Sequence, residues 1–352
     1  MTERFEASTG DDDAVPVPLG AGARATPAAA TAPPRPPAAA AIRQVLLHVT
    51  PGHHPGQQLA VGVDVAARFG AKLVGLYPIR RTLALRRLLA PDPPPGAAGG
   101  DAAAEPLRRA AGLAGATVLR RVLTPDSPAV AAAVAAERAK ARASFDRLAR
   151  LADAARVELE WHAVAGDAGA LLADVGRLHD LVVAPAGDAQ AGDAGPDAAR
   201  RAVLRSGRPV LVVPRHWASP RVGRRVLVLW DGTRESAFAV RAALPFLATA
   251  DNVTVLAAPD RLPLDLDGLP IFGLGDFLWR HGVVAAVLPF EAKGADPARA
   301  VLDAAEAGGA DLVVSGAFGP WPTRAWPVQG WRLAGFTRAL LAQARTPLLL
   351  CH

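Results

Sequence analysis

Cysteine is nearly missing from this chain of 352 residues; Cys351 is the only one. That excludes a disulfide framework and a cluster of thiolate metal ligands, and it fits a reducing compartment. Lysine is almost as scarce, confined to Lys72, Lys140 and Lys293, so the formal net charge of +6 comes almost wholly from arginine. No stretch approaches the ~20 uninterrupted apolar residues that cross a membrane. The opening MTERFEASTGDDD is acidic and polar, and the Ala/Pro tract behind it lacks a continuous apolar run. A secretory signal is therefore not expected, and the expectation is a soluble, cytoplasmic protein. Familiar chemical motifs are missing too: no GxSxG elbow, no GxxxxGK loop, and no GxGxxG after a strand. His53 and His54, near His48, have no local carboxylate or cysteine to complete a metal shell. No metal and no catalytic acid–base pair is nominated.

What the chain does have is apolar content, 51% of its residues, enough for two ordinary cores. It also has arginine pairs, at Arg80/Arg81, Arg86/Arg87, Arg108/Arg109 and Arg120/Arg121. Such pairs suit a phosphate-rich partner or an anionic membrane. Stacking aromatics are not interleaved with them, so a solvated face is the better reading, and neither nucleic acid nor membrane is expected as a partner.

The chain also repeats itself. VLLHVT (Val45 to Thr50) aligns with VLVLWD (Val226 to Asp231) at an offset of 181. Leu59, Val63 and Ala66 then fall on Val240, Leu244 and Leu247, one face of the following helix in each copy. Later, DLVVAPAGD (Asp180 to Asp188) matches DLVVSGAFG (Asp311 to Gly319), and RPVLVVP (Arg208 to Pro214) matches TPLLLCH (Thr346 to His352). Two domains of one design follow. Three of the differences between the copies bear on a ligand site: Thr50 stands where Asp231 does, Pro185 where Gly316 does, and Asp188 where Gly319 does. A ligand site, if the chain has one, belongs to the second copy.

The residues before about 41 read as a disordered Ala/Pro-rich tail, the first domain as 41–215, and the second as 223–352. In the first copy the pattern predicts strands over 42–50, 72–77, 157–164, 181–184 and 210–213. Helices are expected up to Phe69, with Gly70 as a left-handed C-cap, then over 127–154, 168–178 and 196–205. An insertion, about 80–128 with PDPPPGAAGGD at its centre, separates the second strand from the long helix. The second copy reads as strands over 225–230, 253–257, 283–288, 312–315 and 348–351. Its helices are expected over 234–247, 297–307 and 337–344, with a short one after 257. Near-continuous apolar strands alternating with helices predict two doubly wound five-stranded parallel-sheet α/β domains in tandem.

In such sheets ligands bind beyond the carboxyl ends of the strands, where the winding reverses. Two segments of the second copy end there. In WDGTRESA, Asp231 leaves the strand, Gly232 permits a sharp turn, Thr233 caps the helix and Glu235 complements its dipole. In SGAFG, Gly316 and Gly319 let backbone N–H groups approach an anion, while Gly335 and Thr337 stand at the start of the next helix, whose positive end suits phosphate. The bland reading of each is a tight turn and a helix cap.

These residues resemble the universal stress protein family, and the chain from about Ile42 to His352 resembles its tandem, two-domain form. The resemblance implies an adenine-nucleotide α-hydrolase-like fold and, in nucleotide-binding members, an Asp after the first strand with a late run of glycines ending in Ser or Thr. Asp231, Gly316 and Gly319 match the first parts of that pattern. Ala334 falls on the third glycine and Gly335 on the Ser/Thr, and 14 residues separate Gly319 from Ala334 where the family has nine. The added stretch carries Trp321, Trp326 and Trp331, three of the chain's seven tryptophans. The resemblance further implies pairing of the last strands of the two copies, through Val210, Val212, Leu348 and Leu350; a homodimer and other protein partners are further expectations.

Three functions stay open. One is a stress-response protein whose second domain holds ATP or another adenine nucleotide, without catalysis. The second is a tandem member that binds no nucleotide and meets protein partners through its Trp- or Arg-rich insertions. The third, an enzyme transferring adenylyl or phosphoryl groups, needs a Lys, His or metal carboxylate near Gly316, and the sequence places none there.

Overall fold

Near-continuous apolar runs that bury both faces of the central strands produce one continuous sheet here. The computed structural model describes residues 42–50, 56–79, 128–186, 195–257, 273–290, 296–317 and 333–352. The first half runs β1 (Gln44–His48), α1 (Gly56–Phe69), β2 (Lys72–Ile79), α2 (Pro128–Ala154), β3 (Leu159–Ala165), α3 (Ala168–Gly176), β4 (Leu181–Pro185), α4 (Gly195–Arg205) and β5 (Val210–Val213). The second runs β6 (Arg225–Trp230), α5 (Arg234–Leu247), β7 (Asn252–Ala257), α6 (Leu274–Arg280), β8 (Ala286–Pro289), α7 (Pro297–Ala307), β9 (Leu312–Gly316), α8 (Leu333–Gln343) and β10 (Leu348–Cys351). The tail, the 80–128 insertion apart from Pro128, the turn at 52–55, Asp188, Gly319 and the tryptophans of 320–332 lie outside the described residues.

The ten strands form a single sheet in the order β3-β2-β1-β4-β5-β10-β9-β6-β7-β8. Within each half every pairing is parallel, and each half has the same order about its own first strand. The halves join where β5 meets β10, antiparallel, with Val212 opposite Leu348, Leu211 opposite Leu349 and Val210 opposite Leu350. Val182 donates to Pro209 O and Ala186 to Val213 O, so the odd residues of β5 serve β4 and the N–H groups of Val210 and Val212 face β10.

Strand alternation sorts the core into two layers. Val45, Leu47, Leu211, Val226, Val228 and Leu349 meet α1, α2, α5 and α6 on one face. Leu46, Val182, Val210, Leu227, Val313 and Leu348 meet α3, α4, α7 and α8 on the other. Both layers run through both halves. The helices begin where their caps say they should. Asp167 accepts from Ala170 N at the start of α3, and Asp296 accepts from Ala298 N and Arg299 N at the start of α7. Gly70 ends α1 at φ +63°, the left-handed cap the sequence predicts.

Two boundaries differ from expectation. The strand predicted over 283–288 begins only at Ala286, because Val283 is buried in a turn that its N–H closes onto Leu278 O, 2.9 Å, at the end of α6. The last helix starts at Leu333 rather than Thr337, so Gly335 lies in its first turn and Thr337 in its second.

Candidate functional site

The winding reverses between β6 and β9, which are neighbours in the sheet although α5, β7, α6, β8 and α7 intervene in sequence. The chain leaves β6 at Asp231, a buried carboxylate. Its Oδ1 accepts from Thr233 N at 3.0 Å and from Thr233 Oγ1 at 2.7 Å. Among the described residues Oδ2 accepts no hydrogen bond. Gly232, at φ +74°, makes the turn between them. Thr233 then caps α5, its Oγ1 accepting from Ser236 N at 3.2 Å, and Ser236 Oγ returns a bond to Thr233 O at 2.9 Å.

Glu235, placed by the sequence in the first turn of α5, is buried and ion-paired to the exposed Arg234. Burial pushes its carboxyl upward. The hydrogen bonds from Arg234 and its own backbone N–H, with the charges of Arg234 and His352, outweigh this and hold it below the ordinary glutamate range.

The end of β9 presses on this same turn. A Cβ on Gly316 would stand 2.7 Å from Glu235 C and Ser236 N. The glycine is therefore demanded by the approach of strand to helix, before any ligand is considered. Ser315, also buried, donates to Gly316 O at 2.7 Å. Ala317 donates to Cys351 O at 2.7 Å, and its carbonyl lies 2.8 Å from His352 Nδ1. Of the residues nominated from sequence, Asp231 and Gly316 are brought together around the first turn of α5. Gly335 is exposed on α8 and Thr337 is buried there, on the opposite face of the sheet from α5. Gly319 is outside the described residues.

Sequence reading missed Ser315 and His352 as neighbours of the site. Only the pairing of β9 with β10, Cys351 against Gly316, brings the chain's last residue there. In the first half the equivalent crevice is built differently. Gln58 Nε2 donates to His48 O at 2.6 Å, Thr50 is half-buried, and β4 ends in Pro185, which has no N–H to offer. Among the described residues no group of three His, Cys, Asp or Glu side chains is placed to hold a metal ion, and no helix is long and apolar enough to cross a membrane.

No protein-family model matches the sequence, and no curated protein matches it significantly. Solved structures do match. A universal stress protein from Archaeoglobus fulgidus DSM 4304 superposes with a TM-score of 0.52 at 14% identity, covering 88% of this chain and 95% of that one. A protein of the universal stress protein family from Burkholderia pseudomallei is 17% identical, with a TM-score of 0.31, over 50% of this chain and 98% of that one. A universal stress protein in complex with cAMP is 15% identical, with a TM-score of 0.28, over 50% of this chain and 99% of that one. The chain has the mostly parallel, doubly wound α/β fold of the universal stress proteins, through both of its halves.

Proposed function

We propose that this is a universal stress protein-like, non-catalytic stress-response protein of the cytoplasm that binds one adenine nucleotide, in the domain formed by residues 223–352. The observation that carries the reading is the asymmetry of the two switch points. In the second half a buried carboxylate, Asp231, keeps Oδ2 without a hydrogen bond among the described residues, at the end of the strand that pairs with β9. That oxygen is an acceptor suited to the exocyclic amine of adenine. In the first half Thr50 and Pro185 stand in the corresponding places.

Isothermal titration of the full chain with ATP, ADP, cAMP and adenosine tests this. We expect one site per chain, weakened at least about tenfold by Asp231→Ala, the loss of one hydrogen bond to a charged group, and unaffected by Thr50→Ala. ATP recovered afterwards is expected intact. Absence of both heat and thermal protection for all four ligands would overturn the reading. Gly316 is a poor target for this test, because any side chain there meets the α5 backbone first.

A further inference from the structure

The outer edges of the sheet are strands of the same rank in the repeat, β3 in the first half and β8 in the second. Register makes them comparable residue by residue. Leu46 lies against Val74 and Val74 against Glu160; Leu227 lies against Thr254 and Thr254 against Ala286. Leu46 and Leu227 are equivalent in the repeat, so Glu160 is equivalent to Ala286. Two residues on, His162 corresponds to Leu288; two residues back, Glu158 corresponds to Val284.

On β3 this face is charged. Lys72 Nζ lies 3.2 Å from Glu158 and 2.7 Å from Glu160, and His162 Nε2 lies 2.6 Å from Glu160. On the β8 edge the same face carries Val284, 80% exposed, Ala286, and Leu288, 48% exposed. No residue from Val283 to Phe290 is charged. Charge on an edge strand discourages another chain from pairing with it, and only one of the two edges has that protection.

The outward row of backbone groups on β8 is also defined. Phe290 donates to Ala257 O of β7 at 2.8 Å, so Ala286 and Leu288 share its inward direction, while Ala285, Val287 and Pro289 turn their backbone outward. Pro289 offers only its carbonyl. An antiparallel partner centred on Val287 fits this row. Val287 exchanges both bonds with its mate, and each Ala285 N–H meets the other copy's Pro289 carbonyl. The missing donor falls at the end of the ladder. That register is self-complementary and lays Leu288 across from the second Ala286 on the exposed face. Pairing β8 with β3 of another molecule would instead set this apolar row beside Glu160 and His162. The chain already contains a junction of the same kind in β5 and β10, two four-residue apolar strands joined antiparallel.

We propose that β8 is a dimerisation edge whose occupant is the β8 strand of a second copy, related by a two-fold axis at Val287, which closes the assembly at two chains. An interface this small is weak, so the dimer is expected to populate towards about 100 µM chain.

Sedimentation velocity of the full chain from about 1 to 100 µM, with hydrogen exchange at the Val287 amide, tests it. The double variant Ala286→Glu, Leu288→His copies the β3 side chains Glu160 and His162 onto exposed positions of β8. A second variant, Val287→Pro, removes the central outward donor without touching the β7 ladder. The expected result is a concentration-dependent dimer whose appearance protects the Val287 amide, with the dimer lost in either variant and the Val287 protection lost in the double variant, whose melting temperature is unchanged. A dimer that survives the double variant overturns the proposal. So does a monomer at every concentration; a protected Val287 amide in that monomer would mean that another segment of the same chain covers the edge.

Discussion

Asp180 and Asp311 open the repeated DLVV motif, and the structure gives both the same task. Asp311 Oδ1 accepts from the backbone N–H groups of Gly223, Arg224 and Arg225 at 3.0, 2.9 and 2.9 Å, fastening the start of β6 to β9. Asp180 Oδ2 accepts from Arg43 N and Gln44 N at 2.8 and 3.0 Å, fastening β1 to β4. Both lie at the amino ends of the strands, away from the switch points, so their loss acts on stability and not on ligand. Asp311→Ala frees three donors around a half-buried site and is expected to cost about 2 kcal/mol, against about 1 kcal/mol for the exposed Asp180→Ala. Urea unfolding of the two variants checks the order; a larger loss for Asp180→Ala would contradict it. The motif's repetition was visible in the sequence, but its purpose was not, because the bonds span 88 and 137 residues. Cys351 was legible in full: read as a small buried hydrophobe, it is fully enclosed, and burial pushes its thiol far above the ordinary range.

Elements with strong punctuation could be located from sequence alone. Thr233 before α5, Pro297 after Asp296 at α7, and Gly70 after α1 fix boundaries because each settles a definite backbone requirement. The boundaries that moved, at β8 and α8, lack such residues, and there burial of Val283 and the unmarked Leu333–Ala334 decide instead. Gly316 shows a deeper limit. A glycine at a strand end reads equally as a phosphate loop or as a close approach, and only the 2.7 Å separation from the α5 backbone shows that packing requires it. Gly316→Ala forces two elements apart and is expected to cost about 1–3 kcal/mol. Gly70→Ala, at positive φ but with nothing within 4 Å of the added Cβ, carries only the left-handed backbone penalty of about 1 kcal/mol. Chemical denaturation of both, without ligand, distinguishes them: equal losses would mean that β9 yields freely to α5.

The two halves are related by a local two-fold axis that passes between Leu211 and Leu349. Under the repeat Val210 is equivalent to Leu348 and Val212 to Leu350, and the observed pairs, Val212 with Leu348 and Val210 with Leu350, exchange those positions as a two-fold demands. A second contact obeys the same axis. Arg68 in α1 donates to Thr249 Oγ1, 181 residues away, the same offset that relates the copies. Arg68 also donates to Val222 O at 2.8 Å and Gly223 O at 3.3 Å, and its guanidinium stands over the rings of Phe69 and Phe246, which meet edge-to-face at 5.1 Å. One junction is therefore a strand ladder and the other an arginine held between two aromatic rings and the connecting segment. Because both core layers cross the junction, the wild-type chain is expected to unfold in one cooperative step. Val212→Pro deletes a donor that faces β10 and is expected to split that step in two and to enlarge the radius of gyration in scattering. Arg68→Ala leaves the ladder whole, so it should lower the midpoint by about 2 kcal/mol of stability while the transition stays single. Calorimetry of the two variants separates the roles: a single transition and unchanged size for Val212→Pro would show that the helices and Arg68, not the strand ladder, hold the halves together.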